Sequence, residues 1–129
     1  FGTPGWQPIR TFLENNYTQA IAGMKIYDVL LVNAVIDGMN LVAKEGPIVN
    51  TKNGVLVLSE TIGAHYQLRH SALSVAPADI EGTMQAMYQA LTMNHEERKE
   101  RSDKLVESIS HEDISDWICK QIEDLQDLL

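Results

Sequence analysis

The chain is poor in several features that mark other protein classes. It has one cysteine, Cys119, in 129 residues. An internal disulfide is therefore excluded, and the expected setting is a reducing, cytoplasmic one. Positive charge is also scarce: ten Lys and Arg stand against 18 Asp and Glu, for a net charge of −8. A nucleic-acid partner would need a basic surface able to release counterions, and this balance does not provide one. No apolar run approaches the roughly 20 residues of a membrane-crossing helix, and no segment has the order of a secretory signal. Neither a G-x-G-x-x-G pattern nor a P-loop occurs, which argues against dinucleotide and ATP sites. The pairs His95-Glu96 and His111-Glu112 lack a second histidine four residues on, so a zinc-protease helix does not apply. No metal or other cofactor is assigned.

What remains is a composition that is 44% apolar, enough for the core of one domain. Strand-like and helix-like segments alternate, which predicts an α/β fold, a Rossmann-like parallel sheet with helices on both faces. A short strand is expected at Gln7 to Leu13, a helix at Tyr17 to Ile26 and a buried strand at Asp28 to Asn33. The helix from Asn40 to Asn50 contains Gly46-Pro47, which should bend or shorten it. A turn at 51–54 leads to a strand at Val55 to Leu58, a loop from Ser59 to Ala64 and a short strand at Ala72 to Val75. Asp79 is placed to cap a helix running to Thr92, and Ile80, Met84, Met87, Tyr88 and Leu91 are spaced to form a face against the sheet. Asn94-His95-Glu96-Glu97 has the form of a capping box, and the mixed charges from Glu96 to Lys104 read as a solvated helix face. The last helix, Asp113 to about Leu128, gathers Ile114, Trp117, Ile118, Ile122, Leu125 and Leu129 mostly on one side. That stripe either packs on the chain's own sheet or stays exposed and drives self-association. Cys119, on the same helix, reads as a small apolar residue rather than a nucleophile.

The richest chemistry lies in Asp37-Gly38-Met39-Asn40-Leu41-Val42-Ala43-Lys44-Glu45, where a strand runs into a glycine turn, a helix start and a carboxylate one turn later. Free N–H groups from about Asn40 onward, together with the helix dipole, favour a phosphate at the carboxyl end of a strand. Glu45 stands four residues after Leu41, so it faces the same way and can accept hydrogen bonds from a ribose diol. Asp37 is placed to hold hydroxyls of a transferred sugar. The plainer alternative is an ordinary Asp-Gly turn with Asn40 as an ordinary N-cap. Gly63 and Ala64, in the second strand-to-helix loop, are small enough for close approach to a ligand, though a glycine there also serves a turn. His65 reads as a surface residue of a helix's first turn or as an acid, base or donor beside the site.

The strings DVLLVNAVIDGMNLVAKEG and GVLVLSETIGAHYQL resemble the C-terminal part of the trehalose-6-phosphate synthase family, retaining glycosyltransferases of GT-B fold. The likeness extends more loosely through Ala90-Leu91-Thr92-Met93 and Asp113-Ile114-Ser115-Asp116-Trp117. The resemblance implies two Rossmann-like domains with a cleft between them, of which residues 1–112 form part of the nucleotide-sugar-binding domain. Residues 113–129 would be a C-terminal helix crossing back toward the N-terminal domain. The chain opens Phe1-Gly2-Thr3-Pro4-Gly5-Trp6, which reads as a loop. A piece of a longer enzyme is expected, with the acceptor-binding domain and the cations that neutralise the donor diphosphate upstream.

By the same resemblance the parent would transfer glucose from a nucleoside diphosphate to a sugar phosphate acceptor, giving trehalose 6-phosphate, and this chain alone would be inactive. The departing phosphate would take the acceptor proton, without a protein nucleophile or metal. Asp37, as the catalytic residue, and the Gly38-Met39-Asn40 backbone would hold the glucosyl group. Leu41, Val42, Ala43, Lys44 and Glu45 would hold the diphosphate and ribose, with Glu45 on the diol and Lys44 equally readable as a surface or packing residue. Two departures stand out. Relatives commonly carry a bulkier residue where Gly46 stands, and Pro-Leu-Arg where this chain has Ala34-Val35-Ile36. The lost arginine leaves open another acceptor, of glucosylglycerol-phosphate or cyclitol type. A noncatalytic nucleotide-binding module is the alternative from a different class.

Overall fold

The computed structural model describes residues 2–127. Their elements are α1 (Tyr17–Ile26), β1 (Val29–Val32), α2 (Leu41–Val49), β2 (Val55–Ser59), α3 (His65–Leu68), β3 (Leu73–Val75), α4 (Ile80–Thr92), α5 (His95–His111) and α6 (Ile114–Gln126). β2 is buried at all five positions, as an unalternating run of Val and Leu requires when helices cover both faces of a sheet. It is the middle strand of three, in the order β1-β2-β3, and both pairings are parallel, with Leu30 opposite Leu56 and Leu58 opposite Ser74. Alternate side chains divide between two cores. Leu56, Leu58 and Val32 meet Ala43 of α2, Leu68 of α3 and Leu105 of α5, while Val55, Val57 and Val75 meet Ala90 of α4. The result is the Rossmann-like parallel sheet with helices on both faces, and it brings the loops after β1 and β2 to one edge.

Several sequence expectations need correction. Gln7 to Leu13 is not a strand. Its side chains are exposed, Leu13 to 94%, and no neighbouring strand among the described residues offers a ladder; only a Thr3–Trp6 bridge forms nearby. Pro47 does not interrupt α2, which runs through it to Val49. The approach of Leu30 and Tyr27 explains the buried Gly46 before it, since a Cβ there would lie 2.4 Å from Leu30 Cδ2. The packed face of α4 differs in phase from the one its apolar spacing suggests. Ile80, Met84, Tyr88 and Leu91 are exposed and Met87 only half-buried, while the small Ala86 and Ala90, with Met93, lie against the sheet. Small residues let the helix axis come close, so size rather than hydrophobicity chose the packed side.

α5 is more than a solvated face. Arg98 donates from Nε to the Asn53 carbonyl at 3.2 Å and from Nη2 to the Asp28 carbonyl at 3.3 Å, tying the helix to the amino ends of β1 and β2. Arg101 donates to the Ser71 carbonyl at 3.3 Å. The Lys99–Asp103 and Lys104–Glu100 pairs fit the solvated description. α6 buries no residue, and Ile114, Trp117, Ile118, Ile122 and Leu125 stay exposed, so it does not pack on its own sheet. The predicted end of that helix at Leu128 and the stripe residue Leu129 lie outside the described residues, as does Phe1. Among the described residues no helix is long and apolar enough to cross a membrane.

Candidate functional site

The chain leaves β1 at Val32 and reaches α2 through an eight-residue loop, 33–40, that its own polar groups hold in shape. Thr61 Oγ1, 2.8 Å from Ser59 Oγ, donates to the Val35 carbonyl at 2.7 Å. Asp37 forms an isolated parallel bridge with Ile62, and the Gly63 N–H donates to the Asp37 carbonyl at 3.1 Å. Its carboxylate accepts from the Met39 N–H at 3.2 Å through Oδ1 and from Asn40 Nδ2 at 3.1 Å through Oδ2. Each oxygen keeps capacity for a further donor, so the half-buried carboxylate is oriented without being saturated.

Asn40 carries the backbone strain of the turn. Its φ of 70° is left-handed, a conformation asparagine tolerates better than most residues, and its Oδ1 caps α2 by accepting from the Ala43 N–H at 3.1 Å. Gly38, where the sequence suggested the tight turn, has no positive φ, and a Cβ added there would meet open space. Gly63 is where glycine is required, because a Cβ on it would lie 1.9 Å from the Gly38 carbonyl oxygen. The two strand-to-helix loops therefore touch backbone to backbone, and the Ala64 N–H donates to the Met39 carbonyl at 3.0 Å.

Within 37–45 the residues take different directions. Met39, Leu41 and Val42 are exposed, and the N–H groups of Leu41 and Val42 find no acceptor among the described residues. Ala43 is fully buried and its N–H is engaged by Asn40, so it contributes packing rather than a ligand contact. Glu45 is half-buried and, with Val42, lines a cleft of about 230 Å³ whose other wall is Asn15, Asn16 and Tyr17. Lys44 instead lines two larger clefts, of about 570 Å³ and 560 Å³, that contain no atom of Glu45. A helix start with two free N–H donors, a prepared carboxylate before it and a second carboxylate one turn on can hold a diphosphate between two sets of hydroxyls.

The model of glycosyltransferase family 20 matches residues 1–127. The chain belongs to that family. It is 39% identical over 133 aligned residues to a trehalose-6-phosphate synthase of Citrobacter koseri, covering 99% of this chain and 28% of that relative. The solved structure of the trehalose-6-phosphate synthase OtsA superposes with a TM-score of 0.88 at 37% identity, covering 97% of this chain and 28% of that one. A structure described as trehalose-6-phosphate from E. coli bound with UDP-2-fluoro glucose gives a TM-score of 0.83 at 37% identity, covering 96% of this chain and 28% of that one. The chain thus spans a little over a quarter of the length of these family members.

In this family-20 chain the residues that sequence reasoning passed over are those that complete or brace the loop. Asn15 and Asn16 sit where a strand was expected to have just ended, and nothing in their local pattern marks them as facing Glu45; only the return of α1 onto α2 does. Thr61 offers a weak signal, a hydroxyl two residues past the buried Ser59 in the second strand-to-helix loop. His65 places Nε2 2.8 Å from Ser74 Oγ, which ties α3 to β3 and directs the ring at the sheet edge. Cys119 is exposed rather than packed as a small apolar residue. Among the described residues no group of three His, Cys, Asp or Glu is arranged to hold a metal.

Proposed function

We propose that this chain is the donor-binding part of a retaining glucosyltransferase that makes trehalose 6-phosphate from a nucleoside diphosphate glucose and glucose 6-phosphate. The carrying observation is the pair of unpartnered N–H groups at Leu41 and Val42, set between the Asp37 carboxylate and the Glu45 cleft. The diphosphate takes those donors at the positive end of the α2 dipole. Ribose hydroxyls donate to Glu45, and the base continues toward Asn15 and Asn16. The glucosyl group lies over Gly38 and Met39, with its hydroxyls donating to the free lone pairs of Asp37. Catalysis here is positioning and stabilisation of the leaving diphosphate, with the departing phosphate receiving the acceptor proton.

Residues 1–112 act as part of the donor domain, and α6, with its uncovered apolar stripe, crosses to the remainder of the parent enzyme. A second acceptor class is favoured by one feature: Val35 and Ile36, 76% and 84% exposed, present apolar surface just before Asp37. With no positive charge in Ala34-Val35-Ile36, this rim is compatible with a related synthase that takes another acceptor, of glucosylglycerol-phosphate or cyclitol type. A nucleotide-sugar donor and a single cysteine fit a reducing, cytoplasmic setting.

Calorimetry with uridine, guanosine and adenosine diphosphoglucose tests the donor reading. The chain is expected to bind at least one of them weakly and to turn over none. Glu45→Ala should cost about 1.5–3 kcal/mol of binding, the worth of a hydrogen bond to a charged group. Unchanged affinity in that variant removes Glu45 from the site.

A further inference from the structure

The second cleft beside α2, about 570 Å³ in volume, shares no lining residue with the Glu45 cleft. Lys44 of α2 and Gly38 and Met39 of the loop form one wall, and Tyr66, Arg69 and His70 at the end of α3 form another. Of the ten Lys and Arg, six are in ion pairs: Lys52, Arg98, Lys99, Arg101, Lys104 and Lys120. The other four, Arg10, Lys25, Lys44 and Arg69, have no acidic partner among the described residues, and two of those four line this one cleft. Arg69 is held in place rather than loose. Its Cζ sits 5.0 Å from the Tyr66 ring centroid, and its Nε–H donates to His70 Nε2 at 3.5 Å. Neither terminal NH2 group has a protein acceptor among the described residues. The floor is fixed as well, because Gln67 Nε2 donates to the Ser108 carbonyl at 2.9 Å and so joins α3 to α5.

In a chain of net charge −8, two uncompensated cations facing one cavity favour an anionic occupant. Glu112 also lines the cleft, yet it pairs with neither cation. A forked guanidinium and a point-charge ammonium lining one cleft are a combination that grips phosphate, the first bidentately. We propose that Lys44 and Arg69 form a binding subsite for a phosphate monoester, separate from the diphosphate position at the start of α2. The subsite stands on its own charges and shares only Gly38 and Met39 with the glucosyl position of the donor reading.

Calorimetric titration of the 129-residue chain with inorganic phosphate, glucose 6-phosphate and glucose, at fixed ionic strength, tests it. Both phosphate compounds should bind in competition for one site, and glucose should not bind. Arg69→Gln should weaken binding about tenfold or more, as loss of a charge-assisted bond does. Lys25→Gln, which removes an equally unpaired charge elsewhere, should leave it unchanged. Tighter binding of glucose 6-phosphate than of phosphate identifies a sugar phosphate as the ligand, equal affinity identifies free phosphate, and both uphold the subsite. Because Glu45→Ala weakens only the nucleoside diphosphate, the two sites can fail separately. The proposal is overturned if neither phosphate compound binds, if Arg69→Gln binds as the unaltered chain does while keeping its helical circular dichroism, or if Lys25→Gln loses as much as Arg69→Gln.

Discussion

Asn40 shows how much one side chain does here: it accepts a left-handed backbone, caps α2 and orients Asp37. Asn40→Ala removes the cap and the side-chain hydrogen bonds that let asparagine hold a left-handed backbone, so it should cost about 2 kcal/mol in denaturant unfolding. Asn40→Gly keeps the backbone conformation and should cost less than about 1 kcal/mol. Equal losses would show that the left-handed turn is not what matters. Tyr27 offers a test by pH. Its hydroxyl is buried without a partner, and burial pushes the phenol up to about 12 from 10.0. The folded state holds that proton more tightly than the unfolded chain does, so stability is full below pH 10 and falls between pH 10 and about 12, by roughly 1.4 kcal/mol per unit. Tyr27→Phe should flatten that fall, measured as unfolding midpoint against pH, and should cost nothing at neutral pH because it removes an unsatisfied hydroxyl.

At the scale of elements, α4 separates what the sequence makes legible from what it does not. The cap at Asp79 and the length to Thr92 follow from local chemistry and stand as read. Which side faces the sheet does not follow from hydrophobicity, because the sheet accepts the helix only where Ala86 and Ala90 let it approach. Ala90→Leu should therefore cost about 1–3 kcal/mol by overpacking, while Tyr88→Asp should fall within about 0.5 kcal/mol of the unaltered chain in thermal unfolding. β2 is legible in the sequence, since a Val-Leu run bounded by turn residues has few other uses. The strand expected at 7–13 failed for the opposite reason: β propensity cannot supply a neighbour to pair with. In the site, the 37–45 segment was visible as a motif, but the opposed directions of Lys44 and Glu45 appear only once α1 and α3 are folded against α2.

For the whole molecule, three parallel strands place two strand-to-helix loops at one edge, and the backbone contact between Gly38 and Gly63 makes them a single surface. That surface borders the cleft of Lys44 and Arg69, while the Glu45 cleft lies between α1 and α2. α6 keeps its apolar stripe exposed, and the chain covers about 28% of the length of its relative. The most direct test is a crystal structure of the complete parent enzyme with nucleoside diphosphate glucose. The diphosphate should lie within hydrogen-bond distance of the Leu41 and Val42 N–H groups, with the ribose hydroxyls on Glu45. Density for the diphosphate away from the start of α2, with Glu45 contacting only protein, would contradict it.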